Sequence, residues 1–285
     1  MKIGANRQVT FEFGDTEEYR AFVDQHPDFL GAFERLVLVS NKVFGRDSKP
    51  ENGMQDVCFG LAHACRDDFF EIVLLAVNGH AFGALKLLRG LFERAVTHEH
   101  IARNPDKAER FRHFAAIQEY KILVAALRTA DDDEKFIDEM LNGVTTVAQI
   151  RKYRDEVKDE FQVELCDKCH HMGTAFSWDT MDVPSVAISL GQLWVSLYLL
   201  CYAHANLQIH ATAASAYKHI GEPQERTEMA RKQAEAVIMH AAVLMVLVLK
   251  LQNQIFGLGL DKDLEDCEAD LTKVWNMTLE AQIAS

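Results

Sequence analysis

The sequence predicts an all-α fold: a single-domain, antiparallel helical bundle of about eight to ten helices, opened by a short N-terminal strand or an ordered arm. Three observations carry this. Apolar residues make up 48% of the 285 residues, which excludes disorder and suffices for one sizeable core. Only 15 Gly and 5 Pro punctuate the chain, fewer than the turns of an all-β protein require. Between these breakers, long stretches rich in Ala, Leu, Glu and Lys repeat their apolar residues at helical spacing.

The elements follow in order. VTFEF at 9–13 alternates apolar and polar residues, which reads as a short strand or an ordered arm. Helices are expected over 16–25 and, after Pro27, over 28–44; the turn-rich GRDSKPENG at 45–53 ends this hairpin. Residues 1–53 thus form an arm and helical hairpin, and 54–285 the main bundle, within one structural domain overall. Helices follow over 54–78 and 80–102. Asn104 and Pro105 then give a start signal for a helix reaching Ala130. Shorter helices are expected over 133–141 and 145–163, and 166–184 is the longest non-periodic stretch of the second half. Pro184 opens a helix reaching Tyr217, and the last two helices cover 222–256 and 262–283.

The formal charge of −13 repels phosphate backbones, so DNA is not expected and RNA is disfavoured. The acidic clusters at 131–134 and 261–270 read as solvated helix ends. MKIGANRQVTFEF lacks the apolar core of a secretory signal, and six cysteines without such a signal suggest reduced thiols and a cytoplasmic setting. The apolar runs Val183–Ala203 and Ala236–Leu249 are interrupted by polar residues or too short to span, so both are expected to be buried core helices and no membrane is expected as a partner.

Dinucleotide and P-loop glycine signatures, HExxH, Glu-x-x-His and GxSxG are all absent from the sequence. CDKCHH at 166–171 offers Cys166, Cys169 and His170 as zinc ligands, although a fourth would have to come from afar; no other cofactor is expected. At 100° per residue, helix 80–102 places Leu87, Leu91, Ala84, Leu88 and Phe92 on one half, with His80 and His98 among them. Arg89, Glu93, Lys86, Thr97 and His100 fall on the other half, where Arg89 and Glu93 form an i,i+4 pair. The helix after Pro184 is apolar on all sides from Val186 to Ala203, apart from Ser189, Gln192 and Ser196, as a central helix would be. It then carries His204, Asn206 and His210, with Tyr198, Tyr202, Asn206 and His210 in one slowly drifting stripe. Buried polar groups need partners, and helix 80–102 with Arg89, Glu93 and His98 is the expected supplier. The seam is either a structural polar contact or a site between helices.

Two resemblances bear on this seam. Arg94-AVTHE-His100 resembles the Arg-x(4–6)-His pattern of the HEPN helical ribonucleases, in which Arg holds phosphate and His moves protons; Arg20 and His26 repeat the spacing in another helix. Gly83-Ala84-x-x-Leu87-Leu88-Arg89-x-Leu91-Phe92-Glu93, Asn104-Pro105-x-x-Ala108-x-x-Phe111, Trp178 and the late Tyr/His helix together resemble a bacterial helical family of unknown function, over roughly 55–220. Where that family carries a Ser in the late helix, Cys201 or Ala203 stands here. Two functions are therefore expected as alternatives. One is a HEPN-like, metal-independent ribonuclease or toxin or phage-defence effector. Its catalytic candidates are Arg89, Glu93, His204, Asn206 and His210, and its substrate-binding candidates Arg94, His98, His100, Tyr198 and Tyr202. The other is a non-enzymatic helical module that binds a small polar ligand or a protein partner. A homodimer is expected in either case.

Overall fold

A computed structural model describes residues 16–45, 49–166, 168–209 and 222–275. The predicted strand at 9–13 and His210 lie outside them. The helices are α1 (Thr16–Gln25), α2 (Phe29–Phe44), α3 (Gly53–Val77), α4 (Ala81–Arg103), α5 (Ala108–Thr129), α6 (Glu134–Met140), α7 (Val147–Val157), α8 (Val183–Leu190), α9 (Gln192–Leu197), α10 (His204–Ile209), α11 (Pro223–Phe256) and α12 (Asp261–Trp275). Among the described residues the fold is all-α, apart from one small hairpin.

The centre is the trio α3, α4 and α11. Ala62, Cys65, Ile72, Leu85, Leu88, Leu91, Phe92, Leu244, Met245 and Leu249 are all at most 1% exposed there. Phe22, Phe29, Leu36 and Val39 of α1 and α2 join the same core, so the N-terminal hairpin is continuous with the bundle. By length and composition Gln224–Phe256 could cross a membrane, but 61% of its most apolar window is buried among the other helices. The acidic stretch of α12 is not simply solvated: Asp270 pairs with Arg35 at 2.5 Å, Asp263 with Lys42 at 2.7 Å and Glu268 with Lys250 at 2.6 Å. These pairs tie α12 to α2 and α11.

Four local features depart from the sequence reading. The helix expected over 145–163 stops at Val157; a 3₁₀ turn follows, and Gln162–Cys166 (β1) pairs antiparallel with His171–Thr174 (β2). The Val-Glu-Leu-Cys alternation is too short to stand out against its helical flank. After Pro105, a 3₁₀ turn precedes α5, and the Asn104 side chain donates back to the His100 carbonyl at 2.8 Å instead of capping forward. The helix from Pro184 is broken at Gly191 (φ 108°, ψ 179°), a conformation essentially reserved for glycine. Beyond α9 it widens into a π turn over Tyr198–Ala203. Nor is this helix central. Val186, Ala187, Trp194, Leu197 and Cys201 face the core, while Ile188 is 67% and Leu199 58% exposed. A wheel that is apolar all round does not say how many of its sides have neighbours.

Candidate functional site

Arg89 and Glu93 lie one turn apart on α4, and their i,i+4 contact forms at 3.3 Å. The same guanidinium donates to the Tyr202 hydroxyl at 3.0 Å and lies 4.7 Å from the centre of the Tyr202 ring. That hydrogen bond, foremost, raises the Arg89 pKa further. Tyr198 stacks on Tyr202 with centroids 5.4 Å apart, and both rings rest against Phe92 of α4. The π turn begins at Tyr198 and sets this pair; single π turns recur at functional sites because they re-aim side chains within a helix. Arg89 Nε and Asn206 Oδ1 are buried without a hydrogen-bond partner among the described residues. Asn206 lies four residues beyond Tyr202 in the next helix, whereas Arg89 projects from α4.

Beside the tyrosines opens a cleft of about 440 Å³. Tyr198 and Tyr202 form one wall; Thr97 and Val96 of α4, the segment Ser177, Trp178, Met181 and Asp182, and the start of α8 form the others. The 175–182 segment has no regular structure; the Ala175 N–H donates to the Phe161 carbonyl at 2.8 Å, and side chains from α4, α5 and the turn between them hold the rest. Lys121 Nζ donates to the Ala175 carbonyl at 2.8 Å and Arg110 Nε to the Trp178 carbonyl at 2.8 Å. Trp178 packs edge-on against Phe111 at 5.1 Å.

The firmest tie is Asp179, whose side chain is 6% exposed: one carboxylate oxygen meets His100 Nε2 at 2.8 Å and Lys107 Nζ at 2.6 Å. Its other oxygen accepts from the Thr180 N–H at 2.6 Å. Burial pushes this carboxyl's pKa up, but the bonds to Lys107 and His100 outweigh it and hold the group down at about 2. Asp182 caps α8, accepting from the Ser185 N–H at 3.0 Å; those bonds hold its pKa below the usual carboxylate range.

The predicted residues therefore separate. Arg89, Glu93, Tyr198 and Tyr202 come together, and Asn206 follows Tyr202 by four residues. His100, expected on the wet half, is 3% exposed because the 175–182 segment covers it; the wheel of α4 cannot register a segment 79 residues away. His98 is buried as expected, but in a core network away from the cleft. Gln252 Nε2 donates to His98 Nε2 at 2.8 Å and to the Cys58 carbonyl at 3.1 Å. Burial pushes the His98 pKa down to about 4, so the ring is neutral with its proton on Nδ1. His80 is exposed at the start of α4, outside the apolar half it was assigned to.

Arg94 pairs with Asp68 of α3, so Arg94 and His100 engage different neighbours and do not share a site. His204, two residues past Tyr202, leaves the opposite side of its helix; its charge and, more strongly, burial push His240 of α11 down to about 4. The other Arg-x(5)-His pair separates as well: Arg20 is exposed, while His26 is 8% exposed beside a second cavity of about 210 Å³ between α1 and α11, with Glu235 at 3.7 Å. Cys169 and His170 are exposed at the hairpin, where His170 contacts Glu164 at 2.5 Å. Among the described residues no three His, Cys, Asp or Glu side chains group as a metal site.

Sequence reasoning missed Asp179, Lys107, Gln252, Ser177 and Asp182 as parts of these networks. Only Asp182 left a local signal, as an N-cap residue two positions before a proline. In comparisons with known proteins, the model of a family of unknown function, DUF5677, matches residues 55–228, which include Arg89, Glu93, Trp178, Tyr198 and Tyr202. No curated protein and no solved structure matches the chain.

Proposed function

Since the chain belongs to the family of unknown function DUF5677, over more than half its length, we propose that it is a helical ligand-binding module whose site is the cleft beside Tyr198 and Tyr202. One observation carries this reading: a tyrosine pair set by a π turn and braced by Arg89 and Glu93 walls a cleft of about 440 Å³. That volume falls within the usual range for small-molecule sites, about 300–1,000 Å³. Its walls follow the usual plan as well, mostly apolar and aromatic with a few polar groups, here Thr97, Ser177 and Asp182.

The ribonuclease alternative needs an imidazole close to the guanidinium to move protons. Among the described residues, His98 contacts Gln252, His100 contacts Asp179 and His204 acts on His240, and no hydrogen bond joins any of the three to Arg89; His210 lies outside those residues. This favours binding over cleavage. RNA incubated with the wild-type chain and with Arg89→Ala decides between them: cleavage by the first and not the second would make the protein an enzyme.

The binding reading is tested by thermal shift with nucleosides, amines and other small metabolites. A ligand at a hundred times its Kd stabilises by about 2.7 kcal/mol, an upward shift of about 4–5 °C for a chain of this length. Tyr198→Ala should abolish that shift. A broad set without any shift, or shifts that persist in Tyr198→Ala, overturns the reading.

A further inference from the structure

We infer that the ligand of this cleft is an organic cation carrying a quaternary or alkylated ammonium group; this rests on the cleft being a ligand site. The inference comes from what lines it. Among the described residues, no Lys, Arg or His side chain borders the cleft, and its one formal charge is the carboxylate of Asp182. Of the cations next to its walls, Arg89 contacts Glu93 and the Tyr202 hydroxyl through one terminal nitrogen, and Arg110 donates its Nε to the Trp178 carbonyl; neither lines the cleft. An anionic ligand would therefore meet a carboxylate and no cation among the described lining side chains, inside a chain of formal charge −13.

A cation meets the opposite conditions. Tyr202 has its ring between Arg89 and Tyr198, and Tyr198 and Trp178 are the other aromatic side chains that line the cleft. Aromatic faces attract cations through the ring quadrupole, and the attraction grows when the cation is desolvated. Val96, Met181, Val183 and Pro184 complete the walls with apolar surface. A metal ion or bare ammonium would lose its strong hydration against such walls, whereas an alkylated ammonium is weakly hydrated and brings methyl groups that suit them. Ring, carboxylate and apolar wall thus converge on one ligand class.

The test compares choline with 3,3-dimethylbutan-1-ol, in which carbon replaces the charged nitrogen at nearly the same shape. Binding is followed by NMR titration of the Trp178 indole N–H on the full chain, with Trp178→Phe used to assign the signal. Choline is expected to bind at least about tenfold more tightly than the neutral alcohol, equivalent to about 1.4 kcal/mol, and to weaken as salt is raised. Asp182→Asn removes the charge but keeps an N-cap acceptor for Ser185, so the helix persists while the preference for choline falls. Equal affinity for the two probes, an unchanged preference in Asp182→Asn, or no response to choline overturns the inference. If a neutral nucleoside moves the same signal and Tyr198→Ala abolishes the effect, the cleft remains a ligand site and only the cationic assignment fails.

Discussion

Asp179→Asn isolates the charge that fixes the wall of the cleft. Asparagine keeps an oxygen for the Thr180 N–H, so the local turn survives and only the ionic contacts to Lys107 and His100 are lost. The Asp179 pKa falls from the ordinary 3.8 to about 2. At 1.36 kcal/mol for each tenfold in proton affinity, this is worth about 2 kcal/mol of folding stability. Because the folded-state value is depressed, the contribution is fully present above about pH 4 and lost as the pH falls towards 2. The unfolding entropy scales at about 2.1 cal/mol/K per residue, so about 2 kcal/mol lowers the thermal midpoint of this chain by roughly 3–4 °C. Circular dichroism melts at neutral pH, with denaturant titrations from pH 5 to pH 2, measure both quantities. Wild type and variant should differ by about 2 kcal/mol at pH 5 and converge near pH 2. A difference that stays constant down to pH 2, or no difference at neutral pH, refutes the reasoning.

The histidines act in a separate window. His98 and His240 are 1% and 8% exposed, and burial lowers both pKa values from 6.5 to about 4. Each takes up a proton more readily when unfolded, so stability should fall as the pH drops from about 6.5 towards 4, with a slope approaching 2.7 kcal/mol per pH unit for the two together. His240→Asn should halve that slope; an acid limb unchanged by the variant would count against the assignment. At Gly191 the φ of 108° is strained for any side chain, although a Cβ there would meet nothing within 4 Å. Gly191→Ala should therefore destabilise by about 1–3 kcal/mol through the backbone alone, and denaturant titration showing no loss would mean that the chain relaxes at the break.

Much of the frame is local information, and that part was legible. Pro27, the Gly53 turn and the Asn104-Pro105 step bracket α2, α3 and α4 closely, because breakers and helical periodicity act within a few residues. The pairing of Arg89 with Glu93 and the stripe of Tyr198 and Tyr202 follow from i,i+4 arithmetic, which each helix carries in itself. What the sequence concealed depends on distant neighbours. His100 is buried by Asp179, and Gln252 reaches His98 across 154 residues. The exposure of Ile188 and Leu199 depends on what packs against each side of the helix, which no wheel can report. The π turn is invisible for another reason: the Tyr198–Ala203 stretch has no composition that separates it from an ordinary helix.

The division of labour within the molecule decides how the proposals can be tested. Stability rests mainly on α3, α4 and α11, whose facing side chains are almost wholly buried, so truncating Leu88 or Phe92 would remove the fold along with any site. The cleft is built one layer further out. Tyr198 and Trp178 are only partly buried, Asp182 is exposed, and the 175–182 segment reaches the bundle through a few polar ties from α4, α5 and the turn between them. Truncating an outer residue leaves the central packing intact, because the cavity it opens is already continuous with solvent. Arg89 is the exception. It projects from a core helix, and its removal would leave the Tyr202 hydroxyl and Glu93 to find water, so loss of binding in Arg89→Ala alone would mix positioning with contact. Asp182→Asn avoids that ambiguity because it keeps the N-cap acceptor for Ser185, whereas Tyr198→Ala is read beside its own melting curve because the Tyr198 ring also rests against Phe92.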